Sequence, residues 1–393
     1  MADLFAGTYR RGAAALATCG QAWLAAMLDV EVALARACEH EALIPPGAAA
    51  AIAAACDPDA FDVAKLAGEG GEHASVVVPL VRALRARVGK PLDEQVHLGA
   101  TSQDIIDTAA MLVARRALAP LLADVAATAA ATAALANRHR STAITGRTLL
   151  QQALPTSFGL RAAGWTVALD TASTRLTEIR VRGLAVQMGG PVGMRSPAIA
   201  ELVALELGLS DPILPWHTDR TRVAELAGAL GTLAGALAKI ARDVTLLAQN
   251  ELGELREKGG DGRGGSTAMA HKRNPVAAIS VLACAKRVPG LVATLLAAME
   301  QEHERAAGGW QAEWGTLGEL LALTGSTAAW GRDMVDGLEV DPARMRKNLE
   351  RLESAGVGEL DIEAASRLID RALAAHRETQ SASASTPREE SDG

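Results

Sequence analysis

Strand patterns are nearly absent from this sequence, and long helical patterns take their place. Alternating runs of Val, Ile, Thr and aromatic residues do not occur at any length. Apolar residues recur instead at helical spacing over five extended segments: 103–139, with Pro120 marking a kink, 155–182, 219–255, 275–306 and 310–337. At 1.5 Å per residue such helices are roughly 40–55 Å long. Rods of that length cannot curl around a small core and need long neighbours. The sequence therefore predicts an all-α bundle whose Ala, Leu and Gly stripes form core or subunit contacts. Alanine, abundant throughout, has the highest helix propensity and lets helices approach closely.

Shorter helical patterns precede the bundle, at 12–42, 47–55, from after CDPD to about 68, and at 74–88, ended by IPPG and by Gly89 and Pro91. They divide the chain into a small helical domain at 1–92 and a central bundle at 93–338. A reduced C-terminal helical segment follows at 339–377. The polar, Ser-rich stretch 378–393 is expected to be disordered. With 393 residues, 49% of them hydrophobic, the chain is large enough for a substantial core. A net charge of −7 gives no nucleic-acid footprint. Cys19, Cys38, Cys56 and Cys284 have neither paired nor metal-type spacing and read as thiols of a reducing compartment. No signal core opens the sequence, and no uninterrupted apolar run approaches the ~18 residues that suggest a membrane helix. A cytoplasmic protein without membrane contact is the expectation.

Chemistry is expected in the connections between the long helices. The most informative, EKGGDGRGGSTAMAHKRNP at 257–275, is rich in glycine and delivers hydroxyls, a cation and an amide to a Pro-started helix. It reads as an active-site lid. Thr101 and Ser102 precede the first long helix, and hydroxyls at a helix N-terminus suit an anion. His217 lies in PWHTDR beside Arg220 and Arg222, and Arg305 lies in EHER. Arginine suits carboxylates by pairing through two N–H groups. The histidines never take the spacing of a zinc helix, and neither metal nor organic cofactor is expected.

In this order, HLGATSQDIIDTA at 97–109, GRTLLQQALPTSFG at 146–159 and GGSTAMAHKRNP at 264–275 resemble the three signature regions of the fumarase/aspartase superfamily. The resemblance implies a homotetramer whose bundles join in a twenty-helix core. Each active site would draw its signature regions from three subunits. LPWHTDR and EHERAAGGWQAEW are similar to the 3-carboxy-cis,cis-muconate cycloisomerase branch. So are Leu149 and Gln152, which stand where other branches place acid/base histidines. Ala270 and Thr267 depart from the family's usual Pro and Ser. GEHASVVVPL at 71–80 replaces the branch's Gly-Asn-Pro run, and the C-terminal domain is shorter than in most relatives.

The implied reaction is reversible anti addition and elimination beside a carboxylate, through an aci-carboxylate dianion. The resemblance assigns Ser266 as the catalytic serine and Lys272 and Asn274 as the pair holding the enediolate. A serine becomes a base only where amides and a cation stabilise its alkoxide; Gly264, Gly265 and the helix start at Pro275 are the candidate donors. Thr101, Ser102, Arg147, Gln151, Gln152, His217 and Arg305 are the candidate substrate contacts. His97 either contacts substrate or orients its loop. The activity this implies is lactonisation of a carboxymuconate. The alternatives are a lyase releasing fumarate from a substituted succinate and a non-catalytic structural homologue.

Overall fold

The computed structural model describes residues 4–258, 263–265, 269, 272–353 and 358–385. Its helices are α1 (Ala6–Tyr9), α2 (Ala13–Leu16), α3 (Gly20–His40), α4 (Ala48–Ala55), α5 (Val63–His73), α6 (Val77–Val88), α7 (Ser102–Arg138), α8 (Phe158–Glu178), α9 (Pro197–Leu207), α10 (Thr221–Leu247), α11 (Val276–Ala297), α12 (Gly309–Asp336), α13 (Pro342–Glu353) and α14 (Ile362–Ser385). Two antiparallel pairs accompany them, β1 (Ala143–Thr148) with β2 (Gln151–Ser157), and β3 (Leu255–Glu257) with β4 (Leu338–Val340).

The five expected long helices are present as α7, α8, α10, α11 and α12, and they pack on one another as a bundle. Pro120 lies inside α7, which continues on both sides of it. The core is built from the expected stripes. Leu118, Leu121 and Val125 of α7, Leu230, Leu233 and Leu237 of α10, and Leu320, Leu321 and Leu323 of α12 are all buried. Small residues let these helices come close. A Cβ at Gly325 of α12 would sit 2.5 Å from the Cβ of Ala14, and a Cβ at Gly159 of α8 would sit 2.6 Å from the carbonyl oxygen of Ala136.

Three features differ from the sequence expectation. The second signature region forms the β1–β2 hairpin; its turn residues Leu149 and Leu150 adopt φ 50° and 64°, a conformation that Asn and Gly normally mark in a sequence. The C-terminal helix α14 runs to Ser385 and so covers residues 378–385, expected to be disordered. It is anchored by His376, whose buried Nδ1 lies 2.9 Å from Asp170 Oδ2 on α8. Alanines in RALAAH and SASAS support helix once that contact fixes the preceding turns. Finally, once a charged residue or two is tolerated, α7, α10 and α11 are long and apolar enough to cross a membrane by length and composition. Interspersed alanine makes them apolar without a continuous run. In the single chain only 44%, 56% and 39% of those stretches are buried, so much apolar helix surface faces outward.

Gly159→Ala tests the close packing of α8 on the end of α7. Its Cβ would meet backbone atoms that cannot rotate away. The variant is expected to lose about 1–3 kcal/mol, read as a lower denaturant midpoint at unchanged slope.

Candidate active site

The entrance to α7 is fixed by a buried carboxylate. Asp104, in the first turn, accepts the Thr101 amide at 3.1 Å through Oδ2, and Thr101 is the N-cap. Asp104 is fully buried, so its charge must be met by donors on both oxygens. Oδ2 also accepts the Gly190 amide at 2.8 Å. Oδ1 accepts the Gly189 amide at 2.9 Å and Gln187 Nε2 at 3.2 Å, and lies 3.0 Å from His217 Nε2. His217 is only 5% exposed, so the structure places it beneath the site, holding Asp104.

One turn further, Asp107 binds Arg220 through two bonds of 2.8 and 3.0 Å, and Glu313 takes the other edge of the same guanidinium at 2.5 and 3.0 Å. Trp310 Nε1 donates to Asp107 Oδ1 at 3.0 Å. Burial works against the charge on Arg220, but the two carboxylates outweigh it and raise its pKa above the ordinary arginine value. This network locks the starts of α7, α10 and α12 together.

Above it lies Arg305, in the connection between α11 and α12. Its Nη1 donates to Thr101 Oγ1 at 2.5 Å and its Nη2 to the Pro191 carbonyl at 3.0 Å. Its Nε is buried and has no hydrogen-bond partner among the described residues. Ser102 is half-buried at the first position of α7. A cavity of about 380 Å³ opens alongside, lined by Leu98, Gly99, Gly190, Pro191 and Arg195 among others. His97 borders the cluster at φ 64°, with Nδ1 2.7 Å from Glu31 Oε1. Burial disfavours its charged form, yet the Glu31 carboxylate prevails and raises its pKa above 6.5.

The other two signature regions lie elsewhere along the bundle. On the hairpin, Arg147 pairs with Gln152 in the strand register, and its guanidinium is spent on Glu254 at 2.8 and 2.9 Å. Glu254 is fully buried and also accepts Asn348 Nδ2 at 2.9 Å. Gln151 and Gln152 are exposed, as are Leu149 and Leu150 at 96% and 74%. In the third region Lys272 is exposed and Asn274 half-buried; the Asn274 amide donates to the Gly264 carbonyl at 2.8 Å. Ser266, with Thr267, Ala270 and His271, lies outside the described residues. The start of α11, offered by the sequence as a donor to an alkoxide, is already engaged. The Ala277 and Ala278 amides donate to the Glu257 carboxylate.

The structure thus brings together Thr101, Ser102, His97, His217 and Arg305. It sets Arg147, Gln151 and Gln152 at the other end of the bundle, and Lys272 and Asn274 toward that end too: Glu254, which binds Arg147, stands three residues before Glu257, which binds the first amides of α11. The hairpin follows the far end of α7, 37 residues and so about 55 Å from Thr101. Trp310, bonded to Asp107, opens α12, and Asp333, bonded to Arg263 at the third region, closes it; roughly 35 Å of helix separates them. Among the described residues, no cluster of His, Cys, Asp and Glu could hold a metal.

Sequence reading did not single out Asp107, Glu254, Glu257 or Glu313. Their partners lie far away in the chain, and only Asp104, three residues after Thr101, has a local signal as a first-turn acid.

The raised pKa of His97 gives a pH signature. The stability that its proton contributes is fully present below the ordinary value of 6.5 and is lost as pH rises through the raised folded value. The difference in melting temperature between the natural protein and His97→Gln should therefore be largest in mild acid and shrink as the pH is raised. A constant difference across that range would contradict the pairing with Glu31.

Comparison with known proteins identifies the family. A family model described as Lyase matches residues 11–290. The chain is 48% identical over 333 residues to the 3-carboxy-cis,cis-muconate cycloisomerase of Bradyrhizobium diazoefficiens, covering 82% of this chain and 74% of that one. It is 44% identical over 346 residues to a nitrosuccinate lyase of Streptomyces davaonensis, covering 84% of this chain and 73% of the relative. The crystal structure of the 3-carboxy-cis,cis-muconate lactonizing enzyme of Pseudomonas putida superposes with a TM-score of 0.83 at 38% identity, covering 96% of this chain and 88% of that one. On its helical bundle, its signature segments and these matches, the chain belongs to the fumarase/aspartase superfamily of lyases.

Proposed function

We propose that this chain is a 3-carboxy-cis,cis-muconate cycloisomerase, forming 4-carboxymuconolactone in protocatechuate breakdown in the cytoplasm. The observation that carries the reading is the 48% identity to a cycloisomerase across 82% of the chain. Leu149 and Gln152, at positions that hold acid/base histidines in other branches, favour the same reading.

One substrate carboxylate oxygen attacks the conjugated double bond and forms the lactone C–O bond. The π electrons move onto the carbon beside a second carboxylate, giving an enediolate. Lys272 and Asn274 hold that dianion, one as a point charge and the other through its amide N–H groups. Ser266 delivers the proton to the carbon and takes it back in the reverse elimination. Thr101, Ser102 and Arg305 bind a further carboxylate at the entrance to α7, where the Arg305 guanidinium stands against the Thr101 hydroxyl. Gln151 and Gln152 reach the substrate from the hairpin. Arg147 positions that hairpin through Glu254, and His217 supports Thr101 through Asp104.

These groups meet only between copies. The α7 entrance stands ~55 Å from the hairpin and ~35 Å from the third region along rigid helices, so it cannot converge with them within one chain. The half-exposed apolar faces of α7, α10 and α11 and the exposed Leu149–Leu150 turn favour an assembly that buries them. A homotetramer with sites shared by three subunits satisfies both demands.

A second reading, a lyase releasing fumarate from a substituted succinate, is favoured by the 44% identity to nitrosuccinate lyase. Loss of diene absorbance from 3-carboxy-cis,cis-muconate supports the first reading. No such loss, with fumarate released from a substituted succinate, supports the second. Arg305→Ala and Lys272→Ala are each expected to lower kcat/KM by about 100-fold or more, as for other groups that meet developing charge. Dissociated and reassembled together, the two variants should recover turnover, because hybrid assemblies rebuild some intact sites. Failure of the mixture to recover, with hybrids shown to form, would contradict shared sites.

A further inference from the structure

Glu257 sits at the end of β3, and its carboxylate reaches across to a helix that begins almost twenty residues later. Oε2 accepts the Ala277 amide at 2.9 Å and Oε1 accepts the Ala278 amide at 2.7 Å. The preceding Pro275, the N-cap of α11, makes no side-chain capping bond, so this remote carboxylate serves in its place. The side chain of Glu257 is only 6% exposed, and Ala277 and Ala278 are fully buried.

Glu257 is itself anchored. In the β3–β4 register it pairs with Leu338, and the next amide, of Lys258, donates to the Gly337 carbonyl at 2.6 Å. Arg263 joins the same group, with Nη2 3.7 Å from Glu257 Oε2 and Nη1 2.9 Å from Asp333 Oδ1 on α12. Above this base, the Asn274 amide donates to the Gly264 carbonyl at 2.8 Å. Gly264 takes φ 73°, and a Cβ there would stand 2.6 Å from the Asn274 carbonyl oxygen. Two successive rungs, Glu257 to Ala277–Ala278 and Gly264 to Asn274, therefore close the stem of the segment bearing Lys272 and Asn274.

We infer that Glu257 is a positioning residue for the third signature region, a carboxylate latch that ties both feet of the segment to the end of α12 and so sets where Lys272 and Asn274 stand. The inference rests on the functional reading above for its catalytic consequence, but not for its geometry. An anion bonded to two first-turn amides is favoured by the helix dipole as well as by its hydrogen bonds. Releasing it frees one end of the segment while the bundle beneath stays packed.

Glu257→Gln keeps the shape but removes the charge and turns an N–H group toward one amide. In the full-length protein, hydrogen exchange over residues 272–282 should accelerate at least about tenfold, while exchange in α7 and the melting temperature stay close to those of the natural protein. With 3-carboxy-cis,cis-muconate, kcat should fall about tenfold or more while KM changes little, because Lys272 and Asn274 act on the transition state. Glu257→Asp retains charge but is too short to reach both amides. It should fall between, and it supplies the same test if the Gln variant does not fold. Unchanged exchange over 272–282 overturns the latch, as does faster exchange with kcat unaltered. If the natural protein itself does not turn over carboxymuconate, the functional reading fails instead, and the exchange comparison still tests the latch.

Discussion

The 37 residues of α7 form one rod of about 55 Å, and its length governs everything the chain can do. Thr101 stands at one end and the β1–β2 hairpin follows the other. A helix bends too little to bring its own ends together, so on the proposed function the residues at its two ends act with partners from other copies. The neighbouring helices repeat the constraint. The start of α12 touches Asp107 through Trp310, and its end touches Arg263 through Asp333. The bundle is a ruler that keeps the α7 entrance away from the other two polar stations, whose anchors Glu254 and Glu257 stand three residues apart, and it leaves apolar helix faces turned outward.

Each station is held by a buried carboxylate rather than by apolar packing alone. Asp104 gathers the Gly189 and Gly190 amides beneath Thr101. Glu254 fixes Arg147 at the base of the hairpin. Glu257 collects the first amides of α11. A buried carboxylate lacking donors is costly, so each of these residues specifies its surroundings narrowly. Asp107, Arg220 and Glu313 serve the same purpose for the framework by cross-tying three helices.

The long helices were legible because their apolar spacing persists over many turns, and Thr101 because a hydroxyl followed by an acid three residues later marks a helix start. The hairpin was not. Its turn is made by Leu149 and Leu150 at positive φ, where sequence patterns lead one to expect Asn or Gly. Helix α14 extends beyond its expected end because His376 meets Asp170 on α8, a contact that local propensity cannot register. The signature segments were recognisable as motifs, but Glu254 and Glu257 do their binding across 107 and 20 residues of sequence. His217 was expected at the substrate site from its arginine neighbours; its contact with Asp104, 113 residues away in the chain, had no local signal.

On the proposed function, the distance from the α7 entrance to the other two stations makes activity a property of the assembly. The most direct measurement is specific activity toward 3-carboxy-cis,cis-muconate across a dilution series, with the mass of the species followed in parallel by light scattering or native mass spectrometry. The account predicts that turnover per chain falls in step with the loss of the oligomer and reaches background when only single chains remain. A single chain that keeps full turnover would contradict it.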